Sequence, residues 1–208
     1  MKIISIIIVG LSLSLACLGQ TAFIEKIVKN KKAHLSIGIK MGDSTKLYFI
    51  DCLFKPVTLL HDTTKIRLIE ELLYYTSDTT MCDNTIYNLS GNYTVIRKRP
   101  LSKEYSLQID ALILINYIAL SSKAFYYSPY PLLYDNKSGR EICCGSSELD
   151  SIVVIYKKWF KKLRKEGFND YCYPLAQKKY EWFGGKVKQQ KFNEYPVWSP
   201  FYDCREMN

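Results

Sequence analysis

Histidine is almost missing from this chain: 208 residues contain two, His34 and His61. Imidazole is the usual general base and the commonest metal ligand near neutral pH. Its scarcity therefore narrows both acid–base catalysis and metal chemistry. No Cys-x-x-Cys pair occurs, and neither histidine stands near the C-terminal cysteines in sequence, so a zinc site of the common type is not expected. Internal repeats and low-complexity linkers are lacking too. Charged residues make up 24% and hydrophobic residues 48%, which are values of a globular chain and not of a disordered one. The length favours one domain, large enough to bury a core without a metal or prosthetic group, and no cofactor is expected.

Long apolar runs are confined to the N-terminus. Met1-Lys2 supplies a positive charge, and Ile3 to Leu15 is apolar apart from Ser5, Gly10, Ser12 and Ser14. The run is short of the roughly 20 residues that a membrane span needs. A charged start, a short apolar stretch and the small Ala16 are what a secretory signal peptide requires. Residues 1–20 are therefore read as a signal peptide, and 21–208 as a single exported domain. The expected location is the periplasm, the outer membrane or the exterior. Ser14-Leu15-Ala16-Cys17 resembles a bacterial lipobox, which implies lipidation of Cys17 as the new N-terminus. It departs from that pattern at Ser14, where Leu or Val is usual. The favoured alternative is ordinary cleavage, after Ala16 or near Gly19-Gln20. Membrane contact is expected only through such a lipid anchor.

Cysteine usage fits export. Of seven cysteines, Cys17 belongs to the leader, which leaves Cys52, Cys82, Cys143, Cys144, Cys172 and Cys204. An even number in an oxidising compartment permits disulfides, but spacing does not settle connectivity. The working expectation joins Cys52 to Cys82, and the Cys143-Cys144 pair to Cys172 and Cys204. The competing reading is that several are small buried apolar residues.

The predicted architecture is α+β: two long helices and a shorter one packed on short antiparallel hairpins, with an irregular aromatic C-terminal segment. Residues 23–31 are expected to form a helical turn or two. Residues 33–40 alternate, with Leu35, Ile37 and Ile39 on one face and His34, Ser36 and Lys40 on the other, which is a half-buried strand. Turn residues 41–44 lead to a second strand ending near Asp51. Asp62 is read as the N-cap of a helix to about Thr76, with Ile66, Ile69 and Leu73 on its stripe. Residues 77–92 read as loop, and 93–97 as a short strand. Ser102 is read as the cap of a helix over 103–121 that is apolar all round and hence buried. Residues 125–131 hold two prolines and exclude regular helix. Residues 132–134 and 141–143 flank the turn Asp135-Asn136-Lys137-Ser138-Gly139, whose Lys137 argues against calcium. Ser147 with Asp150 is read as a capping box for a helix over 148–166. Its apolar stripe is Leu149, Ile152, Val153, Tyr156, Trp159, Phe160 and Leu163, and Gly167 stops it.

Candidate chemistry is sparse. Asp51-Cys52 resembles the Asp-Cys start of the NlpC-type cell-wall peptidase motif, which would imply a cysteine hydrolase. The match covers two residues, and the last histidine, His61, lies only nine further on. A nucleophile needs a base in reach and a third group orienting that base. For glycan hydrolysis the available carboxylates are Glu70, Glu71, Asp110, Glu148 and Asp150. Asp110, on the buried helix, needs a partner. Asp43-Ser44-Thr45, Asp62-Thr63-Thr64, Asp78-Thr79-Thr80 and Asp150-Ser151-Ile152 resemble the acceptor pattern of a general O-glycosylation system.

The net charge is +9, and +8 once Lys2 is removed with the leader. Much of it falls on one helix: Lys157, Lys158, Lys161, Lys162, Arg164 and Lys165. Arg97-Lys98-Arg99 and Lys178-Lys179 are further bases. Export removes nucleic acid as the obvious target. The expected partner is a protein or acidic surface in the cell envelope, and the favoured reading is a non-enzymatic protein of the immunity or inhibitor type. The alternatives are a small cell-wall or glycan hydrolase and a glycan- or anionic-surface-binding module.

Overall fold

The computed structural model describes residues 20–41, 44–48, 57, 59–86, 101–168, 173–176 and 178–185. Residues 1–19 with Cys17, then Asp51-Cys52, the strand expected at 93–97, Arg97-Lys98-Arg99, Cys172, Cys204 and the aromatic segment past 185 lie outside the described residues. Within them the architecture is α+β. A three-stranded antiparallel sheet of β1 (Gln20–Lys29), β2 (Lys32–Met41) and β3 (Ser44–Tyr48) runs in that order. The helices are α1 (Asp62–Tyr75), α2 (Leu107–Leu120), the single turn α3 (Ala124–Tyr127) and α4 (Ser147–Glu166). β4 (Leu133–Asp135) and β5 (Tyr180–Trp182) pair antiparallel as a second, two-stranded sheet.

The stretch expected to be helical at 23–31 is mostly β1. Its apolar residues suit either period, and pairing decides. All ten residues pair with β2, from Gln20↔Met41 to Lys29↔Lys32. Asn30 and Lys31 both have positive φ, 51° and 66°, as a two-residue hairpin turn requires. Lysine in place of the usual glycine hides that turn from sequence reading.

β2 buries Leu35, Ile37 and Ile39 as expected, but its other face is not solvent-facing. His34 and Ser36 are buried as well, and the ring of Phe23 lies across its cross-strand partner Gly38, where an added Cβ would collide with it. Of the residues assigned to that face, Lys40 alone is exposed. The β2–β3 hairpin forms as predicted, with Met41 opposite Ser44.

Three helix caps differ from expectation. His61, not Asp62, occupies the N-cap of α1 without a side-chain bond. Asp62 sits in the first turn, where a carboxylate complements the helix dipole, 3.5 Å from Lys65. α2 starts at Leu107, four residues later than predicted, and Ser102 is not its cap. The first amides of α2 go instead to loop carbonyls: Leu107 N–H donates to Thr80 O at 2.9 Å and Gln108 N–H to Asp78 O at 3.1 Å. Ser102 is tied down by Glu141, whose carboxylate accepts from the Leu101 amide at 2.6 Å and from the Ser102 amide and hydroxyl at 2.8 and 2.5 Å. α4 is capped by Ser146, whose hydroxyl accepts from Leu149 N–H at 3.2 Å. The acid at N3 that a capping box needs is absent, because that position is Leu149.

Two further expectations shift. Residues 124–127 form one helical turn, which ends at Ser128 just before Pro129. The hairpin expected between 132–134 and 141–143 shrinks to the bridge Tyr134↔Glu141, and the ladder partner of β4 is β5, from the stretch read as irregular.

α2 is the centre of the core. Every residue in it except Ala119 is buried, including Gln108, Asp110 and Asn116. α1 turns Leu68, Ile69 and Leu72 inward, and α4 buries all seven residues of its predicted stripe. Among the described residues no helix is long and apolar enough to cross a membrane.

Candidate functional site

The periodicity of α4 sets its rotation. With Leu149, Ile152, Val153, Tyr156, Trp159, Phe160 and Leu163 in the core, Lys157, Lys158, Lys161, Lys162, Arg164 and Lys165 all emerge on the exposed side. The six predicted cations thus share one helix surface. Lys162 lies 3.9 Å from Glu166, and Arg164 reaches across to Glu70 on α1 at 3.0 Å. Among the described residues, Lys157, Lys158, Lys161 and Lys165 have no ion pair. Val154, 49% exposed, stands one turn before Lys157 and Lys158. Lys179 is drawn away to Asp135 at 2.8 Å, while Lys178 is exposed without joining α4 in any described contact.

A second group of functional side chains lies inside the fold, where β2, the 81–86 segment and the start of α2 meet. Asp110 is 2% exposed, and its Oδ2 accepts the Leu35 amide at 2.8 Å. Burial pushes its carboxyl up, the Leu35 amide pulls it back, and the charge of Asp83 raises it again, leaving it at about 7. Burial, and then the neighbouring Asp110, push the Cys82 thiol up to about 12. A nucleophilic cysteine needs the opposite shift. Tyr105, beside Asp110 and Cys82, is driven well above the ordinary phenol range by burial and by the charge of Asp110. His34 Nδ1 lies 2.8 Å from Asp83 Oδ1. Sequence reading singled out Asp110 and missed Tyr105 and Asp83. The bridge of Ala33 to Cys82, which brings them together, spans about fifty residues and leaves no local signal.

The other carboxylates proposed for hydrolysis are dispersed. Glu70 pairs with Arg164, and Glu71 lies 3.9 Å from Arg67 along α1. Glu148 and Asp150 occupy the first turn of α4. Asp135 closes its turn by accepting from the Lys137 and Ser138 amides at 2.9 and 3.0 Å, and the hydrogen bond from Lys179 holds its carboxyl far below the usual range. That turn is held by its own amides and by the salt bridge from Lys179. Among the described residues no group of three or more His, Cys, Asp or Glu could hold a metal ion.

The three described cysteines differ in access. Cys82 is fully buried, Cys143 is exposed, and Cys144 is intermediate, its Sγ 3.5 Å from Gln108 Oε1. All three are free thiols in this structure. Comparison with protein families, curated proteins and solved structures returns no match.

Proposed function

We propose that this chain is an exported envelope protein of the immunity or inhibitor type, which binds an acidic protein partner through the exposed face of α4. The observation that carries this reading is the set of lysines on α4 that find no counter-charge among the described residues, grouped on the surface of a helix whose other side is anchored in the core. A rigid, single-sign surface speeds encounter with an oppositely charged partner and rejects like-charged ones. A second copy of the same face fits poorly, because the acids of α4 lie at its ends, at Glu148, Asp150 and Glu166. Export belongs to the same proposal, and its support is the leader-like N-terminus. The expected disulfides each need Cys82, Cys143 or Cys144, which are free thiols in this structure, so they form no part of it. Among the residues that a hydrolase reading would use, Asp110 is enclosed and bonded to a strand amide, which favours the binding reading.

The test is affinity capture of the full-length tagged protein from its own envelope fraction, alongside the double variant Lys158→Glu/Lys162→Glu. One acidic protein, captured by the wild type, lost with the variant and released by moderate salt, is the expected result. Identical capture by both proteins would overturn the assignment to α4. Retention on phosphatidylglycerol vesicles with no protein captured would replace the partner by a lipid surface.

A further inference from the structure

α2 is fastened to the main sheet by a polar joint. The Leu35 amide belongs to the middle of β2, and its acceptor is the Asp110 side chain, one turn into α2. A carboxyl group therefore stands where a neighbouring strand would otherwise supply a carbonyl. The 81–86 segment closes the same joint. Cys82 N–H donates to Tyr105 O at 2.7 Å, Asp83 N–H to Ala33 O at 3.1 Å, and Ala33 N–H to Met81 O at 3.0 Å. The titratable groups around the carboxyl come from each of these elements: His34 from β2, Cys82 and Asp83 from the loop, and Tyr105 from the approach to α2. α1 presents the apolar Leu68, Ile69 and Leu72 on its buried side. Lys26 of β1 is engaged by Asp78 at 2.7 Å. The groups acting on Asp110 include a second acid and no base.

An ionised carboxylate enclosed this way has one amide to solvate it and Asp83 to repel it. A protonated one keeps the Leu35 bond through one oxygen and sheds both the burial cost of a charge and the repulsion from Asp83. We propose that this joint is a proton latch. While Asp110 carries its proton, β2 and the 81–86 segment stay clasped to α2, and loss of that proton loosens the clasp. The reading does not depend on any partner of α4.

The sign follows from linkage. The folded chain holds a proton that the unfolded chain releases near the ordinary carboxyl range, so folding is favoured at low pH. That advantage fades as pH rises from the unfolded value of 3.8 through the folded value of about 7.

The experiment is urea unfolding of the full-length protein and of Asp110→Asn between pH 4.5 and 8. Asparagine keeps an acceptor for Leu35 but has no proton to lose. The two proteins differ at this one side chain, so the comparison isolates the proton on residue 110. Relative to the variant, the folding constant of the wild type is expected to fall about tenfold per pH unit between roughly pH 4.5 and 6.5. A difference between the two that stays level with pH would overturn the latch. A second measurement serves if the variant does not fold: carboxyl carbon shifts of the wild type. One aspartate with a midpoint near neutrality supports the latch, and midpoints all below about 5 reject it.

Discussion

Trp182 Nε1 donates to the Tyr156 hydroxyl at 3.0 Å, and that hydroxyl donates to Asn116 Oδ1 at 2.9 Å. One buried oxygen thus joins β5, α4 and α2. Burial raises the Tyr156 phenol far enough that it stays neutral at any physiological pH. Tyr156→Phe keeps the ring and strands two buried polar atoms, the indole N–H and the amide oxygen. Each such atom is worth about 1 to 3 kcal/mol. The variant is expected to lose about 3 kcal/mol in denaturant unfolding. A loss below about 0.5 kcal/mol would show that water already serves this triad.

The start of α4 offers a direct comparison of two adjacent serines. Ser146 caps the helix through its hydroxyl, whereas the Ser147 hydroxyl reaches only the neighbouring Glu148 at 3.2 Å. Ser146→Ala should lower stability by about 1 kcal/mol, the usual worth of an N-cap. Ser147→Ala should change it little. Equal effects in thermal unfolding would mean that the cap is shared.

Thiol labelling should separate the cysteines in order of access. Brief alkylation of the native protein is expected to mark Cys143, and Cys82 only after denaturant, since its sulfur is enclosed and its thiol is held protonated. Peptide mass mapping reads the result. Should Cys82 take label only after a reductant is added as well, a Cys52–Cys82 disulfide forms in the natural protein, and the contact to Tyr105 gives way to it.

The legible parts of this fold were the periodic ones. The α4 stripe was read residue for residue, because seven apolar side chains at helical spacing leave one rotation available. α2 was legible as a buried helix, since an apolar residue faced nearly every direction. The cations of α4 followed from the same geometry, which made that candidate surface readable in advance. What escaped were contacts between distant segments. β1 looked helical in isolation and became a strand through pairing across the Asn30–Lys31 turn. β5 is three residues long, too short for a pattern, and is defined by β4 some forty-five positions earlier. The cap of α2 was misplaced because backbone carbonyls of Asp78 and Thr80 do the work a side chain was expected to do. The polar joint at Asp110 was visible only as one acid in an apolar helix. Its neighbours Asp83, Tyr105 and Cys82 are gathered by tertiary structure.

The enclosure of α2 dictates an order of assembly. Its lining comes from both directions along the chain: β2 and α1 are made before it, α4 and the Trp182 strand after it. A nascent chain that has reached Leu120 carries a fourteen-residue apolar rod with half its walls unbuilt, and stays unfinished until about sixty more residues arrive. Shortening the protein from either side within the described span would leave that rod bare and prone to aggregate, so any unit that folds alone must contain at least β1 through β5.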